Sequence, residues 1–233
     1  MVSAPRALQP ARPAGPWLWI AAALSLGLSL TPWGDTALYP FKLFTTIVHE
    51  CSHAVMTVLV GGSVQSITIQ PDTSGLTMSV IPDARLYRGL VASAGYIGAA
   101  LTGCVLLAAT RIEKWANAVL LVVGALLGAA LVLWVRNVFA FAVVLAWSVV
   151  LLALARVGSR TASRFVLSLL AVQVALNAVF DIRVLFLVRG AASDAATMAG
   201  LFVLPSWFWA SLWMLISIAL LGGTLWVTRT RRA

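Results

Sequence analysis

Apolar residues run along this chain in long blocks separated by short polar segments. The blocks cover Trp17 to Trp33, about Leu38 to Val60, about Leu86 to Thr110, Trp115 to Ala155, about Phe165 to Val188, and Pro205 to about Val227. A helix needs about 20 apolar residues to cross a hydrocarbon layer, and most blocks are close to that length. The fourth block, about 40 residues, would overshoot the layer as one helix. It therefore divides into two spans at Arg136-Asn137. The pattern predicts an all-α polytopic membrane protein with about seven (six to seven) transmembrane helices.

The period changes once. Gly61-Gly62 should end the second helix. After it, Ser63 to Gln70 and Leu76 to Ile81 alternate apolar and polar residues, with Pro71-Asp72-Thr73-Ser74-Gly75 as a turn signal between them. This predicts one small β-hairpin over about 63–81, directly after the helix that carries the histidines. It is either an ordinary solvent-facing loop or an edge strand that receives an extended substrate. Residues 1–16, rich in Pro, Ala and Arg, read as a disordered tail; 17–228 as a single membrane domain; 229–233 as a basic tail. Arg6 and Arg12 precede the first block as they would in a signal peptide. No small-x-small cleavage site follows, so a retained span is expected.

Polar residues inside the blocks fall in stripes. Thr46, His49, Glu50, His53 and Thr57 lie within about 100° of helical arc, a face that must meet protein or water rather than lipid. Gln173, Asn177 and Asp181, each four apart, form a second stripe. Ala94 with Gly98, and Gly95 with Ala99, are small pairs at the spacing that lets helices pack closely, and the expected partner is the second helix. Trp207, Trp209 and Trp213 are expected to form an interfacial belt.

Composition agrees with this reading. The chain is 61% hydrophobic and 10% charged, with a mean hydropathy of +0.99, which excludes a soluble domain of this size. The net charge of +9 comes almost wholly from arginines at span ends. No long basic run is present, so no nucleic-acid partner is expected. Cys51 and Cys104 read as buried free thiols. Cys51 lies about 200° round the helix from His49 and points away from it.

The chemistry concentrates in His49-Glu50-Cys51-Ser52-His53. The chain has 2 histidines and both are here. On a helix they sit about 40° apart on one face and can reach a single zinc ion. Glu50 lies about 100° from His49, beside the metal, where a general base for a water is needed. The alternative is a hydrogen-bonding cluster between helices. A zinc hydrolase usually has three protein ligands. Asp35, Asp72, Asp83, Glu113 and Asp194 all fall in predicted loops or turns, whereas Asp181 lies inside an apolar span. Elimination therefore makes Asp181 the third ligand, with Asn177 one turn before it to hold the substrate backbone or orient the carboxylate. A bridge from Asp181 to Arg136 is the competing reading. With one catalytic Zn2+, Glu50 would take a proton from the attacking zinc-bound water and return it to the leaving amine. A site within the bundle implies a substrate already in the lipid bilayer, the transmembrane segment of a membrane protein.

The order of these features resembles the site-2 protease class of intramembrane zinc metalloproteases, peptidase family M50, and most closely its M50B-like branch without a PDZ domain. The resemblance covers roughly residues 38–190. It rests on His49-Glu50-Cys51-Ser52-His53, Gly61-Gly62 with the Pro71–Gly75 turn, Ala94-Gly95-Tyr96-Ile97-Gly98, and Asn177-Ala178-Val179-Phe180-Asp181. It implies His49, His53 and Asp181 as zinc ligands and Glu50 as catalytic base. The late motif departs from the family's Asn-Pro segment followed by Leu-Asp-Gly: no Pro follows Asn177, and Ile182 follows Asp181. Two other functions compete, a silent pseudoprotease that binds or sorts membrane proteins, and a small metal-binding transporter or sensor. An intact Glu50 argues against the first, and the lack of an internal repeat against the second. The expected location is multi-pass in a bacterial plasma membrane.

Overall fold

The computed structural model describes residues 16–112, 115–187 and 193–230; for 178–187 and 229–230 it describes the backbone alone. The expected tails at 1–16 and 229–233 therefore lie almost wholly outside the described residues. The elements in order are α1 (Pro16–Ser29), α2 (Gly34–Leu59), β1 (Ser63–Ile69), β2 (Gly75–Val80), α3 (Arg85–Ala109), α4 (Ala116–Leu133), α5 (Val138–Val157), α6 (Arg160–Leu187), α7 (Asp194–Leu201) and α8 (Ser206–Thr230). Among the described residues, α3, α4, α5 and α8 are long and apolar enough to cross a membrane, which makes this an integral membrane protein. The expected count of about seven is not reached on that measure: α1 has 14 residues, and α2 and α6 carry the polar stripes.

α3 and α6 form the middle of the bundle. Leu167, Leu170, Ala171 and Val174 of α6 are wholly buried, as are Ala100 of α3 and Phe44 of α2. α1 lies on α6, where Gln173 Nε2 donates to Ser25 Oγ at 3.0 Å. One member of the Gln173–Asn177–Asp181 stripe is thus spent on holding two helices together.

α2 ends as its sequence requires. Gly61 has φ +80°, a conformation that costs a residue with a Cβ. The amide of Gly62 then reaches the Thr57 carbonyl at 2.8 Å and that of Gly61 reaches Val58 at 3.0 Å. This double closure satisfies the last carbonyls and reverses the chain. A Cβ on Gly62 would press on the Val80 carbonyl, so the glycine pair also lets the hairpin fold back.

The hairpin is antiparallel, with Ile69 opposite Gly75 and Ser63 opposite Val80, and a bulge between Val64 and Ser66. At the turn, Asp72 Oδ1 accepts from the Ser74 amide at 2.9 Å and hydroxyl at 2.6 Å, which holds its carboxyl below the usual range. The hairpin does not project as a free loop. It lies along α2: Tyr39 donates to the Pro71 carbonyl at 2.6 Å, Thr46 to the Thr73 carbonyl at 2.8 Å, and Thr57 to Ser79 Oγ at 2.9 Å.

The break at Arg136-Asn137 is where the length argument put it, and it carries an unexpected load. Trp134 accepts from the Ile67 amide at 2.7 Å, and the Arg136 amide donates to the Ile67 carbonyl at 3.1 Å. The Asn137 amide group completes the pairing, accepting from Ile69 N at 3.3 Å and donating to Ile69 O at 2.7 Å. The α4–α5 connection therefore closes the outer edge of β1. The Arg136 guanidinium turns back onto the carbonyls of Leu133 and Val135 and caps α4.

Two expectations are corrected. The polar segment Arg156 to Arg164, expected from its composition to be a loop, is mostly helical: α5 runs to Val157, and α6 begins at Arg160, entered through Ser159, whose Oγ accepts from the Ala162 amide at 3.1 Å. Trp213 is not part of an interfacial belt: it is 1% exposed and stacks on Tyr96 with ring centroids 5.0 Å apart. Trp207 stays 60% exposed.

Candidate metal centre

α2 turns His49 and His53 to the same side, and their Nε2 atoms stand 3.0 Å apart. The close approach of α3 makes room for the rings. A Cβ on Gly95 would overlap both imidazoles, and one on Gly98 would overlap Ser52. The small-residue stripe thus packs against α2 as its spacing predicts, and its reason is specific: the imidazoles occupy the volume that a side chain at residue 95 would need. His49 also meets the Tyr96 ring edge-on at 4.8 Å.

His53 Nδ1 lies 2.7 Å from the Val91 carbonyl. A carbonyl only accepts, so Nδ1 carries the proton, and in the neutral ring the Nε2 lone pair points into the site. This is the outer contact that orients a metal-binding histidine.

The third donor comes from α7. Asp194 Oδ2 is 3.2 Å from His49 Nε2 and 3.3 Å from His53 Nε2. Asp194 opens that helix, and Ser193 before it caps the helix, its Oγ accepting from the Ala196 amide at 3.2 Å. Met198 and Ala195 anchor α7 in a second apolar core with Ala92, Ala210 and Trp213. Burial raises the Asp194 carboxyl, but the two imidazoles beside it outweigh burial and hold the group below the usual carboxylate range. His49, His53 and Asp194 form a group that can hold a metal ion.

Sequence reasoning placed Asp194 in a loop and passed over it. A signal was present: Ser193-Asp194 is a capping pair ahead of a short apolar stretch, and the Asn177–Asp181 segment departs from the family motif. The side chain of Asp181 lies outside the described residues. Asn177 is half-buried on α6.

Glu50 is buried and held from the opposite side. Thr77 Oγ1 lies 2.7 Å from Glu50 Oε2 and 3.0 Å from the Glu50 carbonyl. A hydrogen bond to a charged group contributes about 1.5–3 kcal/mol. The polar stripe of α2 is thus shared: His49 and His53 meet α3 and α7, while Thr46, Glu50 and Thr57 meet the hairpin. Cys51 is a free thiol, as expected, but only partly buried.

A His-Glu-x-x-His helix, completed by a distant carboxylate inside a bundle of apolar helices, defines a membrane protein built around a candidate metal centre. The model of the peptidase M50B-like family matches residues 18–224, and the chain belongs to that family. No curated protein and no solved structure matches it.

Proposed function

We propose that this protein is an intramembrane zinc metalloprotease of the site-2 protease type, which hydrolyses peptide bonds in the transmembrane segments of other membrane proteins. The observation that carries the proposal is the donor triangle of His49, His53 and Asp194, with sides of 3.0, 3.2 and 3.3 Å. Ligands about 2.0–2.2 Å from one tetrahedral zinc stand about 3.3–3.6 Å from each other, so a bound ion would need the triangle to open by a few tenths of an ångström. Two nitrogens and one carboxylate oxygen are also a donor set that hydrolytic zinc sites use, with one position left for water.

A bound zinc would polarise the scissile carbonyl and acidify its water towards neutral pH. The chain's own part is proton handling and placement. Glu50 takes the proton from the attacking water and passes it to the leaving amine. Val91 fixes the His53 tautomer. The outer edge of β2, unpaired among the described residues, receives the substrate as an extended strand. Leu76, Met78 and Val80 on its outward face are 58%, 57% and 61% exposed, apolar surface suited to a segment drawn from lipid. Asn177 is the candidate for holding the substrate backbone, and a bacterial plasma membrane the proposed location.

The test is zinc content together with cleavage of a model transmembrane substrate, for wild type and Glu50→Gln. The variant should retain its zinc and lose roughly 100- to 10,000-fold in rate. Equal cleavage by both proteins would overturn the proposal.

A further inference from the structure

We infer that Thr77, together with the bare backbone at Gly75, is the positioning device for the Glu50 carboxylate, so that the seating of the hairpin sets the base; this rests on the protease reading above. Residues 75, 77 and 79 of β2 alternate inward towards α2, while 76, 78 and 80 face out. Two of the inward positions bear on the same carboxylate, one by a hydrogen bond and one by leaving space for it. Thr77 Oγ1 is 2.7 Å from Oε2. A Cβ on Gly75 would come within 2.5 Å of Oε1 and 2.7 Å of Cγ, so that oxygen rests against backbone that any other residue would deny it. The Thr77 hydroxyl has one proton and two acceptors in reach, the carboxylate and the Glu50 carbonyl. The charged oxygen is the stronger and the closer of the two.

The physical consequence is a loss of freedom. A glutamate has three side-chain torsions, and a base must hold its oxygen within about 0.5 Å of the productive place. Among the described residues, the hydrogen bond to the Glu50 carboxylate comes from Thr77 of β2, and the space it occupies is left by Gly75. Both lie on the strand whose other edge is unpaired among the described residues. The far edge of the hairpin is tied to the α4–α5 connection by Ile67 and Ile69. Displacement of β2 by a paired segment is therefore transmitted to the carboxylate through one hydroxyl. Thr77 is a positioning residue, without contact to the reacting atoms.

The experiment uses the full chain, zinc-loaded, in bilayers with a single-span model substrate. Thr77→Val keeps the shape and removes the hydroxyl; Thr77→Ser keeps the hydroxyl. Thr77→Val should lower kcat roughly 10- to 100-fold with bound zinc unchanged and KM within about threefold of wild type. Thr77→Ser should stay within about threefold of wild type in kcat. A second readout needs no turnover. Amide hydrogen exchange over 73–80 should quicken in Thr77→Val and in Glu50→Ala, and no further in the double variant, because both remove one contact. Wild-type kcat in Thr77→Val, equal damage in Thr77→Ser, or additive exchange effects would each overturn the inference. If wild type itself fails to cleave, the protease reading falls, and the exchange cycle still decides whether Thr77 holds Glu50.

Discussion

His49 and His53 explain each other through helical geometry alone, but neither explains Asp194. That carboxylate is 145 residues from His49 in sequence and 3.2 Å from it in space. Elimination by sequence favours Asp181, because an ionisable group inside an apolar span demands a role, and its side chain lies outside the described residues. The two aspartates can be told apart by metal content. Asp194→Asn should weaken metal binding by more than about 100-fold, since losing an outer-contact partner alone costs about 10- to 100-fold. Asp181→Asn should leave metal binding unchanged. The reverse pattern, read by elemental analysis of the purified variants, would restore Asp181 as the ligand. Trp213 teaches the same lesson from the apolar side. Tryptophan suits a membrane interface and a packed core alike, and only the neighbouring Tyr96 ring decides between them.

Helix α2, the hairpin and the α4–α5 break act as one assembly. The Gly61-Gly62 closure was readable because a left-handed residue after a helix has few substitutes. The alternation of the hairpin was readable for the same local reason. The covering of β1 by Trp134, Arg136 and Asn137 was not, because an Asn-containing break between two apolar runs looks alike whether it meets water or a strand. Asn137→Ala removes both side-chain hydrogen bonds to Ile69 and should destabilise the hairpin by about 1–3 kcal/mol. Faster amide exchange at Ile69 and its neighbours is the measurement, with Asn137→Asp intermediate because it keeps the acceptor. Exchange no faster than in wild type would show that the backbone pairing through Ile67 suffices.

Across the molecule, the candidate centre joins α2 near one end of the chain to α7 near the other. α7 in turn rests on α3 and α8 through Met198, Ala195 and Trp213. An ion bound there would bind the folded chain and not the unfolded one, and so would stabilise it by about 4 kcal/mol when present at 1,000 times its Kd. Chelation should therefore lower the apparent melting temperature by roughly 10 °C, at about 2–4 °C per kcal/mol for a chain of this size. Restoring zinc should recover it. The His49→Ala variant should already melt at the lower temperature and ignore the chelator. A melting temperature indifferent to chelation in wild type would mean that no ion closes the bundle.

The chain alone carried everything whose physical cause is local. Lipid length set the blocks and the split at Arg136-Asn137. Helical period put His49, Glu50 and His53 on one face, and the shift to a period of two announced the hairpin. Each of these follows from torsions and solvent acting on neighbours in sequence. The tertiary structure decided what those faces meet. It brought Asp194 up to the two histidines, put Gly95 against the imidazoles, and laid Thr77 on Glu50. It also closed one edge of the hairpin and left the other unpaired among the described residues. These are contacts between distant segments, selected by the packing of whole helices, and no short window of residues contains the terms that select them.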